Sequence, residues 1–295
     1  MFNSSLPVCR VFLAAALSLF LFTPSVSSQE VAEADVWSLQ DYRDIGINFQ
    51  SGPMNGDLGN AEIKVKSGWA FLGTGDTKKL MELYGNQLTG MERGTLVRAD
   101  EPDSWFAVFE FDPIGYIADA ESEDLDAKAM LKAFKKSDGP ANEWRQQNGQ
   151  APLNTVGWKT EPFYDPQTNN LEWCLELESE GYPVLNHNIR ILGRRGVMQV
   201  TLVCDPADLD AALMHVQSAL TAFSFKSGES YAEYRSGDKI AKYGLAALVT
   251  GGAVAVAAKS GVLSKLIKPI IIGVVVLGGV FAKFFKGLFG GFAKE

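Results

Sequence analysis

The side chains able to do chemistry are few and scattered. The chain has two histidines and three cysteines among 295 residues. His187 alternates with Leu185, Ile189 and Ile191, which places it on the packed face of a strand. His215 falls off the leucine stripe of a helix and is expected in solvent. Neither has a partner at the spacing of a metal-binding pair such as H-x-x-x-H. A Ser-His-Asp hydrolase would need one of them as its base, and no G-x-S-x-G elbow accompanies them. Cys174 shares a face with glutamates and Cys204 with Met198, Val200 and Leu202, on strands separated by one other in a simple meander. That arrangement opposes a disulfide, which needs Cα atoms within about 7 Å. Gly68 to Asp76 is glycine-rich like a phosphate loop. However, a P-loop needs Lys and then Ser or Thr after its last glycine, and here Asp76 follows Gly75. The segment reads as a turn that caps a helix. Glu121, Glu123, Asp124 and Asp126 lack the spacing and glycine of a calcium loop, and acids at a helix start suit its dipole. Asp112 and Asp165, each beside aromatic residues, are the carboxylates that a hydrolase of unfamiliar design would use. No catalytic, cofactor-binding or metal-ligating residue is assigned, and no cofactor is expected.

The elements that would position these groups alternate between strands and helices. Glu62 to Lys66 alternates as a strand, and Trp69 to Leu72 after Gly68 suggests its hairpin partner. Gly52-Pro53-Met54-Asn55-Gly56-Asp57 reads as loop. Thr95 to Arg98 pairs with Trp105 to Phe111. A helix runs from Leu125 to Lys136 and stops at Asp138-Gly139-Pro140, with a second from Asn142 to Gln147. Gly157 to Tyr164 and Leu171 to Glu178 form a hairpin. Leu171, Trp173, Leu175 and Leu177 line its dry face; Glu172, Cys174, Glu176 and Glu178 line a wet one. Val184 to Leu192 and Gly196 to Cys204 form the next hairpin, and Asp205-Pro206 opens a helix with Leu209, Leu213, Val216, Leu220 and Phe223 as its stripe. The strand, turn and helix at 69–88 recur at 197–223, a weak hint of duplication. Strands in hairpins with separate helices predict an α+β fold with a mostly antiparallel sheet.

Both ends are apolar. Residues 1–28 read as a signal peptide: Arg10, then an apolar run from Val11 to Phe22, then Val26 and Ser28 at the cleavage positions. Residues 29–227 form the acidic domain and 228–242 the link to a membrane anchor at 243–295. The anchor has two uncharged runs, Tyr243 to Ala258 and Pro269 to Ala282, separated by Lys259, Lys265 and Lys268 and followed by Lys283, Lys286 and Lys294. Each is short of the ~20 residues of a usual span. Three arrangements remain open: a single transmembrane helix near 267–283, a two-span helical hairpin, and an interfacial or buried helix pair. Six glycines in these runs (Gly244, Gly251, Gly252, Gly273, Gly278 and Gly279) would permit self-association through close helix packing.

Charge divides along the same boundaries. The leader carries +1 and the tail +5, while 29–242 holds 20 basic against 34 acidic residues. Such a domain repels nucleic acid, and the lysine-bearing tail is drawn to anionic lipid. The mean hydropathy of +0.00 therefore averages an acidic soluble domain with two apolar ends.

The segments Tyr164-Asp165-Pro166-Gln167-Thr168-Asn169-Asn170-Leu171-Glu172-Trp173 and Arg190-Ile191-Leu192-Gly193-Arg194-Arg195-Gly196-Val197-Met198 resemble a bacterial family of uncharacterised membrane-anchored proteins. So do Trp105 to Tyr116 and the juncture from Tyr231 to Leu248. The resemblance implies a bacterial, Gram-negative envelope protein and supplies no reaction, ligand or catalytic residue. The closing hairpins and helix also look like the sheet-and-helix domains of PsbP/Mog1-like proteins, in architecture alone. The expectation is a non-enzymatic module at the cytoplasmic membrane with its main domain outside. It would hold lipid through its C-terminal segment and an envelope protein or peptide through its domain. The alternatives are a hydrolase with an unrecognised carboxylate site and a lipid- or hydrophobic-ligand-binding domain.

Overall fold

The computed structural model describes residues 37–250, apart from Asp103, 119–124 and Tyr243. The expected signal peptide, most of the acidic cluster at 121–126, the first apolar run of the tail beyond Thr250 and the whole of the second lie outside the described residues. Among the described residues no helix is long and apolar enough to cross a membrane.

The expected α+β architecture is present. Eight antiparallel strands form one sheet in the order β1 (Gln50–Ser51), β4 (Trp69–Gly73), β5 (Glu92–Arg98), β6 (Trp105–Asp112), β10 (Val197–Cys204), β9 (Tyr182–Leu192), β8 (Asn170–Ser179), β7 (Asn154–Asp165). Three more form a small sheet: β11 (Phe223–Phe225), β3 (Ala61–Val65), β2 (Met54–Asp57). The hairpins β5–β6, β7–β8 and β9–β10 fall where alternation and turn residues place them.

Helices cover both faces. The small sheet and α4 (Leu209–Leu220) bury Phe71, Leu96, Phe109, Leu202 and Cys204 on one face. On the other, α1 (Leu39–Asp44), α2 (Thr74–Leu83), α3 (Ala127–Gln147) and α5 (Leu245–Val249) pack with Leu72, Val97, Phe106 and Trp173. The one-dry, one-wet sheet expected from β8 is therefore corrected. Cys174 is fully buried and Glu172 and Glu176 are half-buried, which leaves Glu178 as the exposed member of the expected wet face. The two strand–turn–helix units place α2 and α4 on opposite faces of the sheet.

Three further expectations change. Residues 54–57 form strand β2 rather than loop, because Gly56 and Gly94 admit the Phe71 ring; a Cβ on Gly94 would sit 2.5 Å from it. β3 and β4 are not a hairpin, since the turn at Gly68 carries the chain from one sheet to the other. The helix expected to stop at Asp138-Gly139-Pro140 continues through Pro140 as α3. Its second half is fastened from outside. Asp138 accepts the Thr155 N–H and hydroxyl, both at 2.8 Å, and Asn142 accepts the Leu153 N–H at 2.7 Å. Tertiary contacts thus offset the lost helical bond at proline.

The segment expected to link domain and membrane is a strap held against the sheet. Ser230 and Glu233 form a capping box around a 3-10 turn at Tyr231–Glu233. Tyr231 and Tyr234 both stack on Tyr116, at 4.5 and 4.3 Å, and the Tyr231 hydroxyl donates to the Ile117 carbonyl at 2.6 Å. Arg194, from the β9–β10 turn, grips Asp238 through two bonds of 2.7 and 2.8 Å. Beyond the strap, Leu245 and Val249 are buried in the core.

The Arg194 bonds hold the Asp238 carboxyl down to about 2. A depressed carboxyl contributes stability above its unfolded value and loses it only as pH falls through the folded one, so the grip persists through neutral pH. Asp238→Asn is expected to speed protease cleavage within 228–242 in limited proteolysis of the full-length protein, with a smaller change in the global unfolding midpoint.

Candidate functional site

The polar residues buried inside the sheet come from strands that read as apolar. Cross-strand partners stand side by side on one face, about 4.8 Å apart. Register places Glu92 of β5 opposite Glu110 of β6, Glu110 opposite Gln199 of β10, and Gln199 opposite Arg190 of β9. The next row on that face brings Thr201 opposite Asn188, and Asn188 opposite Trp173. All of these polar side chains are buried. They form a polar island within the apolar face packed by α1, α2, α3 and α5.

Arg190 is the unusual member. Its guanidinium lies over the Trp173 ring, 4.7 Å from the centroid, a cation–π contact. It donates to Asn188 Oδ1 at 3.2 Å and, at 3.4 Å, to the Ile189 carbonyl. Its Nε has no hydrogen-bond partner among the described residues, and no carboxylate there comes within ion-pair distance. Burial pushes it down to about 10, against the pull of Glu110 and Asp112, so it stays a cation at neutral pH.

The two glutamates meet at Thr89, whose hydroxyl lies 3.0 Å from Glu92 Oε1 and 2.7 Å from Glu110 Oε1. Glu92 Oε1 also accepts the Thr89 N–H at 2.6 Å. The second oxygen of each carboxyl has no partner among the described residues. Burial pushes Glu110 up to about 7; Glu92 and Asp112 add to the rise, and Thr89 and Arg190 oppose it. The island can therefore hold and release a proton near neutrality.

The residues singled out from sequence do not converge. Asp112 is at the end of β6, pushed up by burial and pulled down by Arg190 and Lys239. Asp165 lies half-buried at the end of β7, where it accepts the Gln167 N–H and the Thr168 hydroxyl. Four strand spacings, about 19 Å, separate its register position from β6. Those two carboxylates do not share a site. Cys174 and Cys204 are free and buried, as expected from the strand between them, and burial pushes both thiols up to about 12. Neither is a ready thiolate. His187 is buried in the packed face as expected, with Nε2 3.5 Å from Glu172.

His215 differs from expectation: it is half-buried, stacked on Trp105 at 6.1 Å and edge-on to Trp69 at 5.7 Å. Arg98 reaches its Nε2 at 3.2 Å. The apolar floor provided by the two tryptophans shields one side of it from solvent. Asp126 caps α3 by accepting the Ala129 N–H at 2.9 Å, the helix-start role expected of that cluster. Asp76 sits in the first turn of α2 and pairs with Lys79 at 2.7 Å, as a helix start and not a phosphate loop.

Sequence reasoning missed Glu92, Glu110, Gln199 and Arg190. The available signal was polar residues set among apolar ones: Glu110 within Trp105 to Phe111, Gln199 with Thr201 within Val197 to Cys204, and Arg190 between Ile189 and Ile191.

These features define an antiparallel α+β domain with a polar island in its core and a strap leading to its C-terminal tail. The chain belongs to the family described as Protein of unknown function (DUF2167), whose pattern matches residues 49–282. No curated protein matches the sequence. Among solved structures it is similar to the PsbP protein CyanoP of Synechocystis, at 10% identity over 57% of this chain and 87% of that one, TM-score 0.33. It is similar to the Ran-binding protein Mog1p of Saccharomyces cerevisiae, at 10% identity over 61% and 96%, TM-score 0.29. It is also similar to LpqN of Mycobacterium tuberculosis, involved in cell envelope biogenesis, at 12% identity over 65% and 99%, TM-score 0.29. Likenesses this distant carry no argument about activity.

A buried cation without a close carboxylate contributes little to stability, because its desolvation is not repaid. Arg190→Met is expected to leave unfolding stability within about 1 kcal/mol of the parent, or to raise it, in denaturant titrations.

Proposed function

We propose that the chain is a membrane-anchored extracytoplasmic module that acts by binding a protein or peptide of the bacterial envelope. The observation that carries this reading is the seating of the strap and α5. Arg194, Tyr116 and Ile117 fix the strap, and Leu245 to Val249 lie in the core, so the domain meets its tail without a free linker. Such an attachment suits a module that presents its surface at a set height above a bilayer.

The same seating supports a single crossing. The first apolar run of the tail begins inside the domain. With residues through Thr250 packed there, 251–258 leave eight residues before Lys259, about 12 Å of helix. A bilayer core is about 30 Å thick. The run Pro269 to Ala282, bracketed by Lys268 and Lys283, is then the span. Snorkelling of those lysines lengthens it. Lys283, Lys286 and Lys294 fall on the cytoplasmic side, in keeping with the positive-inside rule, and the acidic domain outside.

Met214 is 67% exposed, whereas Cys174 and Cys204 are buried. In intact spheroplasts making Met214→Cys, a membrane-impermeant maleimide is expected to label position 214 without lysis. Labelling only after lysis would place the domain inside and end this reading. A reporter joined after Glu295 is expected to be active only as a cytoplasmic fusion, and an extracytoplasmic signal would establish two crossings. Crosslinking in intact cells is expected to capture an envelope protein on the domain.

A further inference from the structure

The Thr89 hydroxyl has more carboxyl neighbours than it has protons. Its oxygen accepts the Met91 N–H at 3.1 Å and lies within hydrogen-bond distance of both Glu92 Oε1 and Glu110 Oε1. A hydroxyl offers one proton and two lone pairs. One lone pair serves Met91, and the proton can serve one carboxylate. The remaining contact is a hydrogen bond only if the other carboxyl is itself protonated. Glu92 Oε1 also accepts the Thr89 backbone N–H, whereas among the described residues the Glu110 carboxyl accepts from no backbone donor. The extra proton therefore belongs to Glu110.

We propose that Glu110, Thr89 and Glu92 form a one-proton site, in which the Glu110 carboxylic acid donates to Thr89 and Thr89 donates to the Glu92 carboxylate, and that loss of this proton to solvent destabilises the β5–β6 seam. The seam is already irregular there, with a register shift between Glu92 and Gly94. The charged groups acting on Glu110 are Glu92 from β5, Asp112 from its own strand and Arg190 from β9; β10 contributes the neutral Gln199. Lys239 of the strap acts at one remove, on Asp112. Burial sets the release near neutrality, at about 7 against an ordinary 4.5. A raised carboxyl contributes its stability fully below its unfolded value and loses it as pH rises through the folded one. The predicted loss thus lies between about 4.5 and about 7. The site depends only on β5, β6 and their preceding loop, so it stands or falls independently of the membrane reading.

The test is the melting temperature of the full-length, detergent-extracted protein between pH 5 and pH 8. The parent is expected to lose roughly 5 °C more than Glu110→Gln over that interval. Parallel curves would overturn the proposal. Should Glu110→Gln fail to fold, infrared difference spectra of the parent decide. A carboxylic-acid carbonyl band should be present at pH 6 and lost by pH 8, and its absence at pH 6 refutes the site. Glu92→Gln removes a charge that opposes ionisation and should move the transition to lower pH; an unmoved transition would rule out a shared proton.

Discussion

Burial of the two central strands on both faces is the constraint to which the rest of the fold answers. Trp105 to Phe111 and Val197 to Cys204 are buried at every position, and β6 and β10 pair along their full length. Neither face of that pair can be left wet without exposing Phe106 or Phe109, each contributing about 1.5–3 kcal/mol by burial. One face is met by α4 and the small sheet, the other by four helices drawn from across the described chain. Polar residues placed in these strands have no water to turn to, so their partners must come from the protein itself: Glu110 meets Thr89 of the loop before β5, and Thr201 donates to Asn188 of β9. Glu110, Gln199 and Arg190 share one register row.

What was legible in the sequence follows from the range of the interactions involved. The hairpins β7–β8 and β9–β10 join strands across short turns, and alternation in each strand marks its faces, so both were readable. α4 was readable from Leu209, Leu213, Val216 and Leu220, although the helix opens at Leu209 rather than at Asp205-Pro206 and Phe223, read as the end of its stripe, begins β11. β2 was not, because Met54 to Asp57 has no β-branched or aromatic residue; it is a strand through its pairing with β3 and the space Gly56 leaves for Phe71. α3 was cut short on paper because Gly139-Pro140 is a strong local stop, whereas Asp138 and Asn142 bind residues 153–155 and carry the helix past it. The polar island was hidden by a longer-range choice, the pairing of β6 with β10 across more than 80 residues of chain. Without that strand order, Glu110 and Arg190 are isolated charges in separate apolar runs.

The family-like segments gain a physical role from the same pairing. Asp112 lies opposite Val197, and a Cβ on Gly196 would come 2.1 Å from the Asp112 carbonyl oxygen. Gly115 holds a positive φ beside the strap, where a Cβ would meet the Lys239 carbonyl at 2.5 Å. The glycines of Asp112-Pro113-Ile114-Gly115-Tyr116 and Gly193-Arg194-Arg195-Gly196 therefore allow two turns and the strap to lie close together. Arg194 and Tyr116 then fasten it. Within the described residues these motifs fasten the strap to the sheet.

Attachment and polar island also share an electrostatic link. Asp112 is pushed toward its neutral form by burial and held toward its charged form by Arg190 from the island and Lys239 from the strap. Lys239 is itself seated by donating to the Pro113 carbonyl at 2.8 Å, one residue beyond Asp112. Lifting the strap withdraws that cation and favours a protonated Asp112. By linkage, protonating Asp112 must weaken the hold on Lys239 by the same free energy. Asp112 in turn raises Glu110 while it is charged. Asp112 thus stands between the cation of the buried row and the cation of the strap, at the point where the strap is seated on Pro113.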